Sequence, residues 1–190
     1  METICLNNEV ATTIYLEGNL ERLPEILGKR NAVLIADEHV ATLLKERLPK
    51  LLTYTVASGE HSKSLREASE IYRWLQNNGI DRDTVLVGLG GGVVCDLSGF
   101  VAATYMRGIP LVLIPTTLLA QVDASVGGKN AVNLDGFKNI VGTFYQPEAI
   151  LCDYSLLNTL PLEEIRGGVA EMIKHCMIAD ATMFDYFRTH

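Results

Sequence analysis

The stretch that decides the fold reads Thr84-Val85-Leu86-Val87-Gly88-Leu89-Gly90-Gly91-Gly92-Val93-Val94-Cys95-Asp96. It resumes as Leu111-Val112-Leu113-Ile114-Pro115-Thr116-Thr117 and closes with Gln121-Val122-Asp123-Ala124-Ser125-Val126-Gly127-Gly128-Lys129. Two short apolar runs each end in a loop of glycines or hydroxyls. A continuous apolar run is the pattern of a parallel strand covered on both faces. Glycines at its carboxyl end let backbone N–H groups come close to an anion. Val85–Lys129 therefore predicts an α/β protein with a phosphate-binding crevice. Gly88-x-Gly90-Gly91-Gly92 departs from G-x-G-x-x-G: Val93 stands where the third glycine belongs, and the loop follows a later strand than the first, so the ordinary dinucleotide fingerprint is not met. A strand-to-helix turn alone needs fewer glycines than the four found in five residues. That surplus favours a pyrophosphate cradle at a helix N-terminus.

Working outward, Thr12–Leu16 reads as a strand, and Leu20, Leu23, Ile26 and Leu27 have helical spacing with Gly28 as C-cap. Ala32–Ala36 is a second buried-strand signal ending at Asp37; Val40, Leu43, Leu44 and Leu48 predict a helix, and Leu51–Val56 a further strand before the loop Ala57–Lys63. Ser64 and Glu67 form an S-x-x-E capping box for a helix striped by Leu65, Ala68, Tyr72 and Leu75 and ended by Asn77-Asn78-Gly79. This alternation predicts a Rossmann-like parallel sheet with crossover helices. Past Lys129, Ala131–Leu134 and Ala149–Cys152 read as short strands separated by a loop over Phe137–Pro147. From Pro161 the pattern turns helical (Ile165, Val169, Met172, Ile173, Cys176), with a further helix over Asp180–Arg188. Residues 1–153 are thus expected to form the α/β domain, and 154–190 to be helical but too short to enclose a second core. The chain is expected to be part of a longer protein, or one whose second domain is supplied elsewhere.

The formal net charge of −7 argues against a nucleic-acid partner, while a few lysines in one pocket can still oppose that sign for a small anion. No apolar run approaches the ~20 residues of a membrane helix, and Met1-Glu2-Thr3-Ile4 does not open a secretion signal. Cys5, Cys95, Cys152 and Cys176 are too far apart for a C-x-x-C or zinc-finger pattern. The expectation is reduced thiols in a cytoplasmic protein with no membrane partner.

Individual residues carry the chemistry. Asp37, at a strand end, suits a ribose hydroxyl or a helix N-cap. Glu60 and Lys63 follow the next strand on the same sheet edge. Thr116 and Thr117 could meet a ligand or cap a helix. Asp96 and Asp123 lie in apolar surroundings and need partners. Lys129 and the pair Lys138-Asn139 suit a phosphate or carboxylate. Glu171, Lys174 and His175 share a helix face, and E-x-x-x-H can supply two metal ligands. A catalytic zinc commonly takes three, and no third ligand follows in the remaining residues.

The chain resembles the 3-dehydroquinate synthases of the sugar-phosphate cyclase superfamily. The resemblance rests on Gly59-Glu60-His61-Ser62-Lys63, Gly90–Phe100, Ala102–Gly108, Pro115–Asp123, Ser125–Lys129, Lys138-Asn139, Gln146-Pro147, Thr159-Leu160-Pro161 and Glu171-Met172-Ile173-Lys174. It implies a homodimeric enzyme with an α/β NAD-binding domain and an all-helical domain, of which 154–190 would be the first helices. Such an enzyme converts the sugar phosphate 3-deoxy-D-arabino-heptulosonate 7-phosphate to 3-dehydroquinate and phosphate. The route is NAD-dependent oxidation, phosphate elimination, re-reduction and aldol cyclisation. NAD contacts would be Asp37, Ser58, Gly59, Glu60, His61, Ser62, Lys63, Gly92, Val93, Val94, Cys95, Asp96, Thr116, Thr117, Lys129, Lys138, Leu156, Leu157, Asn158 and Thr159. Substrate-side residues would be Arg107, Asp123, Lys129, Asn139 and Lys174. Glu171 would hold zinc (or cobalt), with neither His175 nor His190 matching the two histidines the resemblance also implies. The 190 residues alone are then expected to bind NAD without turnover. The alternatives are another cyclase of the 2-deoxy-scyllo-inosose or valiolone type, a metal-dependent alcohol dehydrogenase, or a free-standing NAD-binding module.

Overall fold

The computed structural model describes residues 2–6, 10–16, 18–179 and 181–189, with side chains described for 12–16, 18–179 and 182–187. In chain order the elements are β1 (Glu2–Leu6), β2 (Val10–Tyr15), α1 (Leu23–Leu27), β3 (Ala32–Asp37), α2 (Glu38–Leu43), β4 (Leu52–Val56), α3 (Leu65–Asn77) and β5 (Val85–Gly90). They continue as α4 (Gly92–Thr104), β6 (Leu111–Pro115), β7 (Lys129–Leu134), β8 (Phe137–Phe144), β9 (Ala149–Leu151), α5 (Leu162–Ala179) and α6 (Ala181–Thr189). His190 lies outside the described residues. Seven strands form one sheet in the order β1-β2-β9-β6-β5-β3-β4. All neighbours are parallel except β1, which pairs antiparallel with β2.

The two apolar runs of the deciding stretch, β5 and β6, are buried at every residue and lie side by side in the middle of this sheet. One face packs Leu86, Leu113 and Val33 against α3 and α4; the other packs Val85, Val87, Leu89 and Ile114 against Leu20, Leu23 and Leu27. Both faces are covered by helices, so the strands have no polar side and read as unbroken apolar runs. Helix α4 is correspondingly apolar almost all round and buries Val94, Cys95, Leu97, Phe100 and Val101.

Several local expectations are corrected. The helix expected through Leu48 is only α2, ending at Leu43; the chain continues in turns over Leu44–Arg47, with Arg47 N and Leu48 N both donating to Leu44 O. The segment Phe137–Pro147, expected as a loop, is largely β8, which forms a hairpin with β7 apart from the main sheet. Its turn is Asp135-Gly136, both with positive φ (50° and 83°). That is the D-G signal of a two-residue hairpin turn. The capping box at α3 is half formed: Ser64 Oγ accepts from Glu67 N at 3.2 Å, but the Glu67 carboxylate accepts from Tyr54 OH instead.

Two tertiary contacts fix the edges of the site. The Asp153 carboxylate, 3% exposed, accepts from Leu20 N, from Arg47, and from the Ser155 amide and hydroxyl. Burial pushes its pKa up, but these donors together outweigh it and hold the carboxyl below its ordinary range. A depressed pKa contributes stability that is present above the unfolded-state value and lost as pH falls through the folded one. Asp153→Ala is therefore expected to cost about 3 kcal/mol at pH 7 in urea unfolding. The difference from the parent should shrink on acidification; a constant difference would show that the charge is not what stabilises. The second contact is at Gly168 on α5, where an added Cβ would stand 2.5 Å from Leu118 Cγ and 2.7 Å from Leu119 N, so the helix is seated directly on that backbone.

Candidate functional site: a cleft at the carboxyl edge of the sheet

In a parallel sheet every strand delivers its following loop to the same edge, and ligands settle there. Loops after β3, β4, β5, β6 and β9 line one cleft of about 1860 Å³, with α5 across its mouth. The glycine loop after β5 leads into α4, whose N-cap Gly91 offers no side chain to the free N–H groups. Gly91, Gly92, Val93 and Val94 all line the cleft. A Cβ on Gly91 would approach Thr117 Cγ2 to 3.1 Å, so the loop is a cradle that a larger residue would fill. Unpaired N–H groups and the helix dipole together make an anion site, and a pyrophosphate fits it.

Asp37 realises its N-cap reading: Oδ1 accepts from His39 N at 2.9 Å and Val40 N at 3.2 Å, capping α2, while Ser58 Oγ donates to both carboxylate oxygens. Asp37, Ser58, Gly59 and Glu60 line the cleft beside Thr116 and Thr117. Lys63 is nearly buried, ion-paired with Asp96, and donates to Asn139 Oδ1 at 2.6 Å. Burial pushes the Asp96 carboxyl above its ordinary range in spite of the lysine. Lys129, Lys138, Asn139, Leu156 and Thr159 also line the cleft.

Across the cleft, Asp123 sits on a single wide turn, Ala120–Ala124, closed by Ser125 N donating to Ala120 O. Turns of this kind recur at functional sites. Asp123 Oδ1 lies 3.0 Å from His175 Nε2, and Oδ2 lies 3.6 Å from Lys174 Nζ. Lys174 also pairs with Glu171, whose hydrogen bond is the main cause holding the lysine pKa above its usual value. Asp123, Glu171 and His175 each offer a ligand atom, all within 4.8 Å of one another. One imidazole and two carboxylates are a donor set that suits a divalent ion such as zinc. The third candidate ligand is thus Asp123, upstream in the chain rather than after His175.

Several candidates lie elsewhere. Ser62 is buried with its hydroxyl on Ala57 O, and Cys95 is buried with its thiol towards Gly90 O. His61, Leu157 and Asn158 do not line the cleft. Arg107 also lies outside it, just past the C-terminus of α4, whose 13 residues separate it from the glycine cradle by about 20 Å. Conversely, Glu38, His39, Thr42 and Arg47 line the cleft with no motif to mark them; for Glu38 and His39 only their position just after the end of β3 could have done so.

The fold is similar to that of solved sugar-phosphate cyclases. Against 2-epi-5-epi-valiolone synthase from Streptomyces hygroscopicus with NAD⁺ and Zn²⁺ bound, the TM-score is 0.88 at 28% identity, over 98% of this chain and 55% of that one. Against 2-deoxy-scyllo-inosose synthase complexed with carbaglucose-6-phosphate, NAD⁺ and Co²⁺, it is 0.80 at 27% identity, over 93% and 51%. Over 185 residues the sequence is 43% identical to the 3-dehydroquinate synthase of Sulfurisphaera tokodaii, covering 97% of this chain and 52% of that protein. The profile described as 3-dehydroquinate synthase N-terminal matches residues 53–167, and the chain belongs to that family. It spans about half the length of the relatives it matches. Among the described residues no helix is long and apolar enough to cross a membrane.

Proposed function

We propose that this chain is the cofactor-binding half of a 3-dehydroquinate synthase. The protein would be a lyase acting on 3-deoxy-D-arabino-heptulosonate 7-phosphate in the shikimate route to aromatic amino acids. The observation that carries the reading is the convergence, in one cleft, of the open N-terminus of α4, the lysines 129, 138 and 174, and the carboxylates Asp123 and Glu171, with His175 against Asp123 from behind the lining. Identity of 43% to a dehydroquinate synthase, against 28% to a valiolone synthase, supports that substrate among the cyclases.

Each residue then has a task. The amides of Gly92 and Val93 would bind the pyrophosphate of NAD, and Asp37 and Ser58 the ribose end. Bound there, NAD⁺ supplies hydride transfer, and a divalent metal held by Glu171 with Asp123 and His175 supplies charge stabilisation at an oxygen. Lys129 and Asn139 would hold the anionic substrate on the far wall. Lys174, paired with both Glu171 and Asp123, would offset the repulsion between these carboxylates and offer a proton donor. The resemblance further supports a cytoplasmic homodimer.

Two measurements test this. The 190-residue chain should bind NAD⁺ in calorimetry and release no phosphate from the heptulosonate phosphate. In the full-length protein Lys129→Ala should abolish phosphate release. A chain that takes up no NAD⁺ sinks the cofactor reading, and parent-like turnover in the variant sinks the role of Lys129.

A further inference from the structure

The ladder of the β7–β8 hairpin is interrupted. Val132 pairs with Val141 and Leu134 with Phe137, leaving Asn133 alone opposite Lys138, Asn139 and Ile140. Such a bulge re-aims side chains and frees backbone groups from the ladder. Here it sends Lys138 and Asn139 into the cleft. It also puts Asn139 in the left-handed region, with φ of 55°. Asn133 takes up the freed groups. Its Oδ1 accepts from Asn139 N at 2.9 Å, its Nδ2 donates to Glu60 Oε1 at 2.8 Å, and its own N–H donates to Lys63 O at 2.9 Å. Lys63 Nζ donates to Asn139 Oδ1 from the other side.

We propose that Asn133 is a positioning residue that couples the loop after β4, on the cofactor side, to the hairpin bulge carrying Asn139, on the substrate side. One amide side chain holds both walls: its oxygen fixes the backbone of Asn139 and its nitrogen fixes the carboxylate of Glu60. Ordering either wall by a ligand then pre-orders the other, because the shared side chain has one arrangement that satisfies both. The inference rests on the cofactor reading above.

The test uses NAD⁺ as probe on the 190-residue chain. Asn133→Ala is expected to weaken NAD⁺ binding about tenfold in calorimetry. The Asn139 amide, hydrogen-bonded to Asn133 Oδ1 in the parent, should exchange faster in this variant than in the parent. Asn133→Asp keeps the acceptor for Asn139 but loses the donor to Glu60 and sets two carboxylates together. There the amide should stay protected while NAD⁺ affinity still falls. The affinity losses of Asn133→Ala and Glu60→Ala should be non-additive, since each removes the same hydrogen bond. Additive losses overturn the coupling, as does parent-like affinity in both Asn133 variants, even with a lowered melting temperature, which is the signature of a merely structural role. A parent chain that binds no NAD⁺ overturns the cofactor reading and the coupling with it. A parent that binds while both variants bind equally well overturns the coupling alone.

Discussion

Gly99→Ala is expected to leave the protein unable to fold, or to lower its stability by at least about 3 kcal/mol. An added Cβ at Gly99 would overlap the side chain of Asn130, meeting its Oδ1 and Cγ. Asn130 cannot step aside at small cost. It is 5% exposed, and its Nδ2 donates to Gly128 O at 2.9 Å and Tyr145 O at 3.1 Å. Moving it would break both of these hydrogen bonds at the base of the hairpin and leave Gly128 O with Tyr145 N alone. The close approach of α4 to β7 is what lets one helix carry both the phosphate cradle at its N-terminus and the support for Lys129 at its middle. Gly167→Ala is the control: nothing lies within 4 Å of its added Cβ, and alanine is the better helix former, so stability should be unchanged or slightly raised. Urea unfolding of the two variants decides the matter. Parent-like stability in Gly99→Ala would mean that α4 and β7 are not in contact at this point.

Lys63→Met is expected to lose about 3 kcal/mol of stability at pH 7, because removing one partner leaves a largely buried carboxylate alone. Lys63 is 6% exposed, and its two side-chain partners are Asp96 and Asn139. The loss should depend on pH with a defined sign. Burial already holds the Asp96 carboxyl above its ordinary range, and without the lysine it rises further. The folded variant then keeps a proton that the unfolded chain gives up. A raised folded-state pKa contributes stability at low pH that disappears as pH rises. The deficit should therefore narrow between pH 7 and pH 5. Urea midpoints across that range check it, and a deficit independent of pH would assign the loss to packing of the lysine stem instead of to Asp96.

The parallel sheet was legible because burial on both faces leaves no alternation to disguise a strand: Ala32–Ala36, Val85–Gly88 and Leu111–Ile114 all stand out as unbroken apolar runs and become β3, β5 and β6. Once the strands are parallel, Asp37, Ser58, Gly92 and Thr116 must share an edge, and they do. The hairpin was not legible in the same way. Its second strand is exposed over Phe137–Ile140, so neither burial nor alternation marks it, and only Asp135-Gly136 announces the turn. The grouping of Asp123 with His175 lies further out of reach, since 52 residues separate them and nothing in local spacing predicts which helix crosses which loop. Arg107 shows the converse limit. Its motif continues directly from the glycine cradle, yet a straight helix carries it to the other end of the element.

The seat of α5 at Gly168 has a mechanical consequence. With Gly168 leaving no room for a Cβ against Leu118 and the Leu119 N, the helix is a lever whose fulcrum lies about one turn before Glu171 and two turns before His175. A tilt of about 10° about Gly168 would carry His175, about 10 Å along the axis, through about 2 Å. That is enough to break its 3.0 Å contact with Asp123, while Glu171, nearer the pivot, would move less than half as far. The separation of Asp123 from His175 is therefore a gauge of the angle between α5 and the sheet.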